Sequence, residues 1–479
     1  MPIAVIPTYL AGHDQEATPA LLFGPLLAIW TSSEDQKSEL EQAAKAKSRK
    51  GEFVSGLIKE RGVEGAIALL TDEAFCKKNK VTRLPGLFEK NPRGARNALQ
   101  ASAKLGKHRA LLEALLARQR AAFAAAASDA TSLCVGAVSV SPFTTGLGNE
   151  HPLENGFAFL NPYGLPYLPG SGVKGAIRRA AQELASGAWG DTAGWSEELR
   201  FSIELGKGSE KHTVRLSMFD VLFGREPSKG EGDHVRGVLS FWDVFPQVPS
   251  NELMVEVMTP HQGHYYQQKK DKKTGDSVTP HDSGQPNPIT FLTVPPGSRF
   301  VFHVLCDKTR LLRLAPELLQ PEDETPRWKT LLEAAFEHAF QWLGFGAKTA
   351  VGYGAMRRDK EAERQTAETI AKIRAQAREV KEQRAAISAL SQNMRRVKEF
   401  EDYMRKREEA IKGKKVRAHG DEHRRARELA KAAREEEGWT LEERQAAARA
   451  IKEWLPRVVE IKVKEEMKQL KLREFLPED

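Results

Sequence analysis

Residues 169–178 read P-G-S-G-V-K-G-A-I-R, from Pro169 to Arg178. Gly170, Gly172 and Gly175 accompany Ser171 and two cations, Lys174 and Arg178. Glycine lets a ligand come close to the backbone, and a lysine in such a loop brings positive charge to a bound anion. Downstream, Val173, Ile177, Ala180, Ala181 and Leu184 recur at helical spacing. That spacing predicts a helix over 173–185, with Lys174 and Arg178 four residues apart on another face. Backbone N–H groups at the start of such a helix, together with both cations, would favour phosphate. The plain alternative is a glycine-rich turn before an ordinary amphipathic helix with a solvated basic face.

Residues 344–354, G-F-G-A-K-T-A-V-G-Y-G, repeat the combination with Gly344, Gly346, Lys348, Thr349, Gly352, Tyr353 and Gly354. Neither stretch reads as a nucleotide motif. Gly170, Gly172 and Gly175 satisfy G-x-G-x-x-G, but that fingerprint needs a hydrophobic strand just upstream, where this chain has Pro162, Pro166 and Pro169. The Lys348–Thr349 pair lacks Walker spacing, because Ala347 and Trp342 stand where glycines are required. It also follows a helical stripe of Trp328, Leu331, Leu332, Ala335, Phe336, Ala339, Phe340 and Leu343, not a strand. Nucleotide hydrolysis is not expected.

The chain has 479 residues, enough for two or three domains, with a formal net charge of +8 and a pI near 9.1. A basic balance suggests an acidic partner such as nucleic acid, a basic solvated surface being the alternative. Cys76, Cys134 and Cys306 are isolated and form no C-x-x-C, so neither a zinc knuckle nor a disulfide framework is indicated. The apolar stretch 19–30 is too short to span a bilayer, and no Lys or Arg precedes it. A soluble cytoplasmic protein without a membrane partner is expected.

Residues 33–130 are rich in helix formers, with a stripe at Leu111, Leu112, Leu115, Leu116 and Phe123. Texture changes at Ser132, where Leu133, Val135, Val138 and Val140 suggest a strand, followed by a turn-rich segment over 144–156. Further strands are expected at 214–218, 238–245, 289–294 and 299–305, and a helix at 328–343. This order fits an α+β, ferredoxin-like unit over 132–357, an architecture common among RNA-binding domains. An N-terminal helical region over 1–131 and a charged helical extension over 358–479 flank it.

Residues 258–288 hold H-Q-G-H-Y-Y, K-K-D-K-K and several prolines, and form an insertion expected to be mobile. Tyr265, Tyr266, Lys269 and Lys270 would touch a nucleic-acid strand by stacking and charge, or belong to an insertion without a ligand. Beyond residue 357 interspersed charges predict solvated helices or a short coiled coil, and 405–427 is notably basic.

Catalytic and metal groups do not assemble in the sequence. His261, His264, His281 and Asp282 lie without regular spacing, so no metal site is assigned. A metal-independent ribonuclease would need a base such as His151, His261 or His264 with Lys174 or Lys348, but nothing fixes the pairing. Asp220, Asp233 and Asp243 are scattered. No cofactor is expected.

Five motifs together carry a resemblance: G-L-G-N-E-H-P-L-E-N-G from Gly146, L-P-Y-L-P-G-S-G-V-K-G-A-I-R from Leu165, M-T-P-H from Met258, P-N-P-I-T-F-L-T-V from Pro286, and the glycine stretch from Gly344. The sequence resembles the RAMP superfamily of CRISPR proteins, and within it the family of sixth subunits of the type III-B, or Cmr, effector complex. The resemblance covers roughly 132–357. It implies an RRM-like RAMP fold with a glycine-rich loop beside RNA, in a non-catalytic backbone subunit near the 3′ end of the CRISPR guide RNA. Its implied partners are guide RNA, target RNA and other RAMP subunits, one of which cleaves the target. By carry-over, Gly170, Ser171, Gly172, Lys174, Gly175, Arg178, Gly344, Gly346, Lys348, Thr349, Gly352, Tyr353 and Gly354 lie at or near RNA. The long C-terminal region goes beyond the shorter chains of this family.

Overall fold

In the computed structural model, residues 16–126, 128–205, 212–225, 234–260, 262–266, 288–322 and 325–476 are described. The chain divides into two compact units, one ending at Ala371 and the other beginning at Lys372.

Within the first unit, strand β1 (Ser132–Ser139) alternates Leu133, Val135 and Ala137 with Cys134, Gly136 and Val138, so one face is strongly apolar. Helix α1 (Gly170–Ala185) and strand β2 (Leu239–Phe241) follow, then strand β3 (Arg299–Cys306), helix α2 (Arg327–His338) and strand β4 (Met356–Arg358). β1 pairs antiparallel with β3, from Ser132 opposite Leu305 to Val138 opposite Arg299. β4 adds to the other edge of β1 and β2 to the other edge of β3, giving the spatial order β4-β1-β3-β2. The fold is α+β.

One sheet face packs on the two helices. Val173, Ile177 and Ala181 of α1 and Trp328, Leu332 and Phe336 of α2 are buried against Val135, Ala137, Phe300, Phe302 and Val304. Burial of this apolar area is the main driving term of the unit. The opposite face is covered too. Phe123, from the helix Arg109–Ala126, sits 4.7 Å from the His303 ring and 5.3 Å from Trp242. At the other end, the Gly136 N–H donates to Glu363 Oε1 at 3.1 Å, and the Asp359 N–H donates to the Gly136 carbonyl at 2.8 Å. Ala362 lies over Gly136 on this face as well, where a Cβ on the glycine would fall 3.1 Å from the Ala362 Cβ.

Several elements differ from expectation. The helix expected from 173 begins at Gly170, because the Asp243 carboxylate receives the Gly170 N–H and supports an earlier start. The strand expected over 238–245 is shorter, and Val244 instead bridges Leu168. The strand at His212–Ser217 has an unforeseen partner in Arg200–Leu205. α2 ends in one wider π turn, Ala339–Leu343, which completes the stripe read from the sequence. Met254–Met258 and Ile289–Thr293 pair as an antiparallel ladder, while most of the insertion between them is outside the described residues.

The second unit is helical, with Gln392–Ile411, Asp421–Glu435, Leu441–Val458 and Val463–Gln469 around its own core. Solvated helices or a coiled coil were expected there. Instead Ala426, Ala430, Ala433, Ala447 and Ala448 let the helices approach closely around Phe400, Met404, Ile451 and Leu455. Among the described residues no helix is long and apolar enough to cross a membrane.

Candidate nucleic-acid interface

Three glycine-rich stretches converge on one groove of about 560 Å³. Gly146, Leu147 and Gly148 form one wall, Ser171, Gly172, Gly175, Ala176 and Arg179 of α1 a second, and Gly344, Gly346, Ala347 and Thr349 a third. Among the described residues no carboxylate lines it. The third wall is fixed through the backbone that follows β1: the Ala347 N–H donates to the Thr144 carbonyl and the Gly354 N–H to the Pro142 carbonyl, both at 2.8 Å.

The glycines play two roles. Gly346 has φ +86°, and a Cβ there would lie 2.2 Å from the Thr144 oxygen, so the fold itself demands glycine. At Gly175 a Cβ would meet nothing within 4 Å. Its missing side chain holds the groove open instead, at some cost in helix stability.

The cations expected to serve the anion do not gather here. Arg178 Nη1 donates to the Gly224 carbonyl at 3.0 Å. Lys174 is half-buried and lines no part of the groove. Lys348 leans the other way, its Nζ 3.3 Å from Met258 Sδ and 5.2 Å from the centre of the Phe291 ring. Tyr353 joins it on that side, with its ring 5.9 Å from Phe291, and burial followed by the Glu256 charge pushes its hydroxyl above the ordinary value. Gly352 and Gly354 shape the return of the loop, with φ of +91° and +74°, and line no part of the groove.

Among the described residues the lining cation is Arg179, which is not among the residues expected from the sequence. It lies one helical turn beyond Gly175 and two beyond Gly172, a spacing visible in the sequence. Its Nε donates to Glu183 Oε1 at 2.9 Å, while Glu183 Oε2 meets His338 Nε2 at 3.0 Å. Arg179 also borders a second cleft of about 760 Å³ that includes Trp189. Trp189 and Trp342 lie 5.1 Å apart and are 48% and 62% exposed.

Nor does the amino end of α1 stand ready for phosphate. Gly170 packs so closely on the Phe241 carbonyl that a Cβ would fall 2.3 Å from it, and its N–H is taken by Asp243 Oδ1 at 2.7 Å. A second anion there would meet the carboxylate.

Of the candidate bases, His151 is engaged on both nitrogens. Nδ1 accepts from the Leu153 N–H at 3.1 Å, so Nε2 carries the proton donated to the Phe23 carbonyl at 2.6 Å. Burial holds its pKa below the ordinary value. Burial also pushes the Cys306 thiol up to about 12, leaving it a poor nucleophile. Among the described residues no three His, Cys, Asp or Glu side chains cluster as metal ligands. Asp233, His261, Lys269, Lys270, His281 and Asp282 lie outside the described residues, as does the side chain of His264.

Residues 137–357 match the RAMP superfamily. The CRISPR system Cmr subunit Cmr6 of Pyrococcus furiosus is 25% identical over 249 residues, covering 45% of this chain and 64% of that protein's length. The cryo-EM structure of the Type III-B Cmr-beta bound to cognate target RNA aligns with 14% identity and a TM-score of 0.32, over 68% of this chain and 97% of that one. The crystal structure of Cmr6 from Pyrococcus furiosus aligns with 21% identity and a TM-score of 0.24, over 48% and 98%.

Proposed function

We propose, from the premise that residues 137–357 are a RAMP superfamily domain, that this chain is a non-catalytic RNA-binding backbone subunit of a type III-B CRISPR (Cmr) ribonucleoprotein. It binds guide RNA near its 3′ end, packs against other RAMP subunits in the cytoplasm, and helps position target RNA for cleavage by a neighbour. The parts are 1–131, 132–357 and 358–479, the central one RRM-like. The strand-helix-strand-strand-helix-strand order, with its β4-β1-β3-β2 sheet, supports that fold reading.

The observation that carries the functional reading is the groove where three glycine-rich stretches meet, with no carboxylate among its described lining residues. Exposed backbone and a single arginine suit a sugar-phosphate backbone, which carries no base code, so guide pairing supplies specificity. The covered outer sheet face favours the same groove. RRM modules commonly stack bases on that face, and here the helix Arg109–Ala126 and residues 359–363 cover it. The ribonuclease alternative needs a free base, and one of its three candidates, His151, is bonded on both nitrogens.

The test is co-purification of the tagged chain from cells carrying a complete CRISPR locus, with sequencing of bound RNA and identification of bound proteins. Guide RNAs recovered with several RAMP partners are expected. Cleaved repeat fragments bound to this chain alone would instead make it the processing nuclease.

A further inference from the structure

The net charge of the chain is confined to one unit. Residues 1–371 carry 44 Lys and Arg against 43 Asp and Glu, whereas residues 372–479 carry 29 against 22. The second unit therefore holds +7 of the +8. Within it, 405–427 contains ten Lys and Arg and four Asp and Glu, or +6.

Seven of these ten cations fall into two sets. Arg407 pairs with Glu422 at 2.5 Å, Arg424 with Asp421 at 2.8 Å and Arg427 with Glu466 at 4.0 Å, all within the bundle. Lys412, Lys414, Lys415 and Arg417, on the loop between the first two helices of the bundle, are exposed and form no ion pair among the described residues.

That loop is anchored to the core. Ile411, Val416 and Ala418 pack against the unit's apolar cluster. The Val416 N–H donates to the Val458 carbonyl and the Glu460 N–H to the Val416 carbonyl, each at 2.9 Å. Beyond it, the His419 N–H donates to Nδ1 of the buried His423, whose Nε2 meets Glu466. Ile411, Val416 and Ala418 are thus pinned inward while four cations lie outward, which lowers the ordering cost of binding.

We infer that this loop is a second RNA-binding site, which takes the phosphate backbone of a single strand and acts independently of the glycine groove. Charge alone would also fit an acidic protein. But the exposed large apolar side chains described in this unit, Val380 and Leu441, lie outside the loop, whose own Ile411 and Val416 are packed inward, and protein interfaces draw their affinity from such anchors. Phosphates need only spaced cations.

The experiment uses the full chain and a fluorescein-labelled 30-nucleotide polyuridylate, with affinity measured across salt concentrations. The variant is Lys412→Asn, Lys414→Gln, Lys415→Gln and Arg417→Gln together, asparagine being chosen because Lys412 has φ +47°. Loss of four phosphate contacts should flatten the slope of log K against log salt by about 3 and weaken binding at least about tenfold at low salt. Should that variant fail to fold, Lys414→Gln with Lys415→Gln should flatten the slope by about 1.4. An unchanged slope overturns the inference. So does unchanged RNA binding with loss of binding to polyglutamate, which would assign the loop to an acidic protein. Gly175→Leu, which fills the groove, is run in parallel. An effect there without one here removes this inference alone, and the reverse removes the groove reading alone.

Discussion

The Asp243 carboxylate accepts the backbone N–H of Gly170 at 2.7 Å, so the first donor of α1 is satisfied by a residue 73 positions away. Asp243→Ala should lower stability by about 1 kcal/mol in chemical denaturation, the usual loss for a removed cap. It should also strengthen RNA binding at low salt, because a negative charge leaves the helix end. Weaker binding with unchanged stability would contradict this account of Asp243.

The two kinds of glycine separate in a stability assay. Gly346→Ala combines a positive φ with a Cβ 2.2 Å from the Thr144 oxygen, and should cost about 3 kcal/mol or more. Gly175→Ala meets no atom within 4 Å and should stabilise by about 0.5–1 kcal/mol. Gly175→Leu should fold as well as wild type and still lose about tenfold in RNA affinity, a factor worth about 1.4 kcal/mol. Retained affinity would remove the groove from the RNA path.

Neighbouring arginines should also diverge. Arg178→Gln breaks the bond to the Gly224 carbonyl and should cost about 1 kcal/mol of stability with little change in the salt dependence of binding. Arg179→Gln loses an ion pair whose arginine is exposed, while Glu183 keeps its bond to His338, so stability should hardly move. Its salt slope should flatten by about 1, equally for guides of different sequence. A sequence-selective loss would argue against backbone recognition.

His303 supplies the pH dependence. It is 3% exposed, near Phe123 and Trp242, and burial, with a smaller effect from Arg120, pushes its pKa down to about 4. Between pH 6.5 and 4 the unfolded chain therefore binds a proton that the folded chain refuses. Its contribution is complete above pH 6.5 and is lost as pH falls, by about 3 kcal/mol over the whole window. Melting curves at pH 7.5 and 5.0 should show this loss in wild type and a smaller one in His303→Leu. An equal loss in both would place the sensitivity elsewhere.

Local periodicity alone determined much of this protein. The stripe from Val173 to Leu184 made α1, and the stripe from Trp328 to Leu343 made α2 with its π turn. The apolar runs at 132–139 and 299–306 made the two central strands, and the charge of the last hundred residues was there to be counted. These features depend on near neighbours in the chain, which spacing records. What the tertiary structure decided rests on partners far away. Gly146, Gly172 and Gly346 come from three separate segments and meet only when β1, α1 and the loop after α2 are packed. Arg178 and Arg179 are adjacent, yet one is drawn to Gly224 and the other left at the groove, because successive helical residues point about 100° apart and only packing chooses which direction meets backbone. Asp243 became the cap of α1 because the assembled sheet brought the residues after β2 to Gly170, and in the second unit the same kind of choice left the four cations of the 412–417 loop without an ion pair among the described residues.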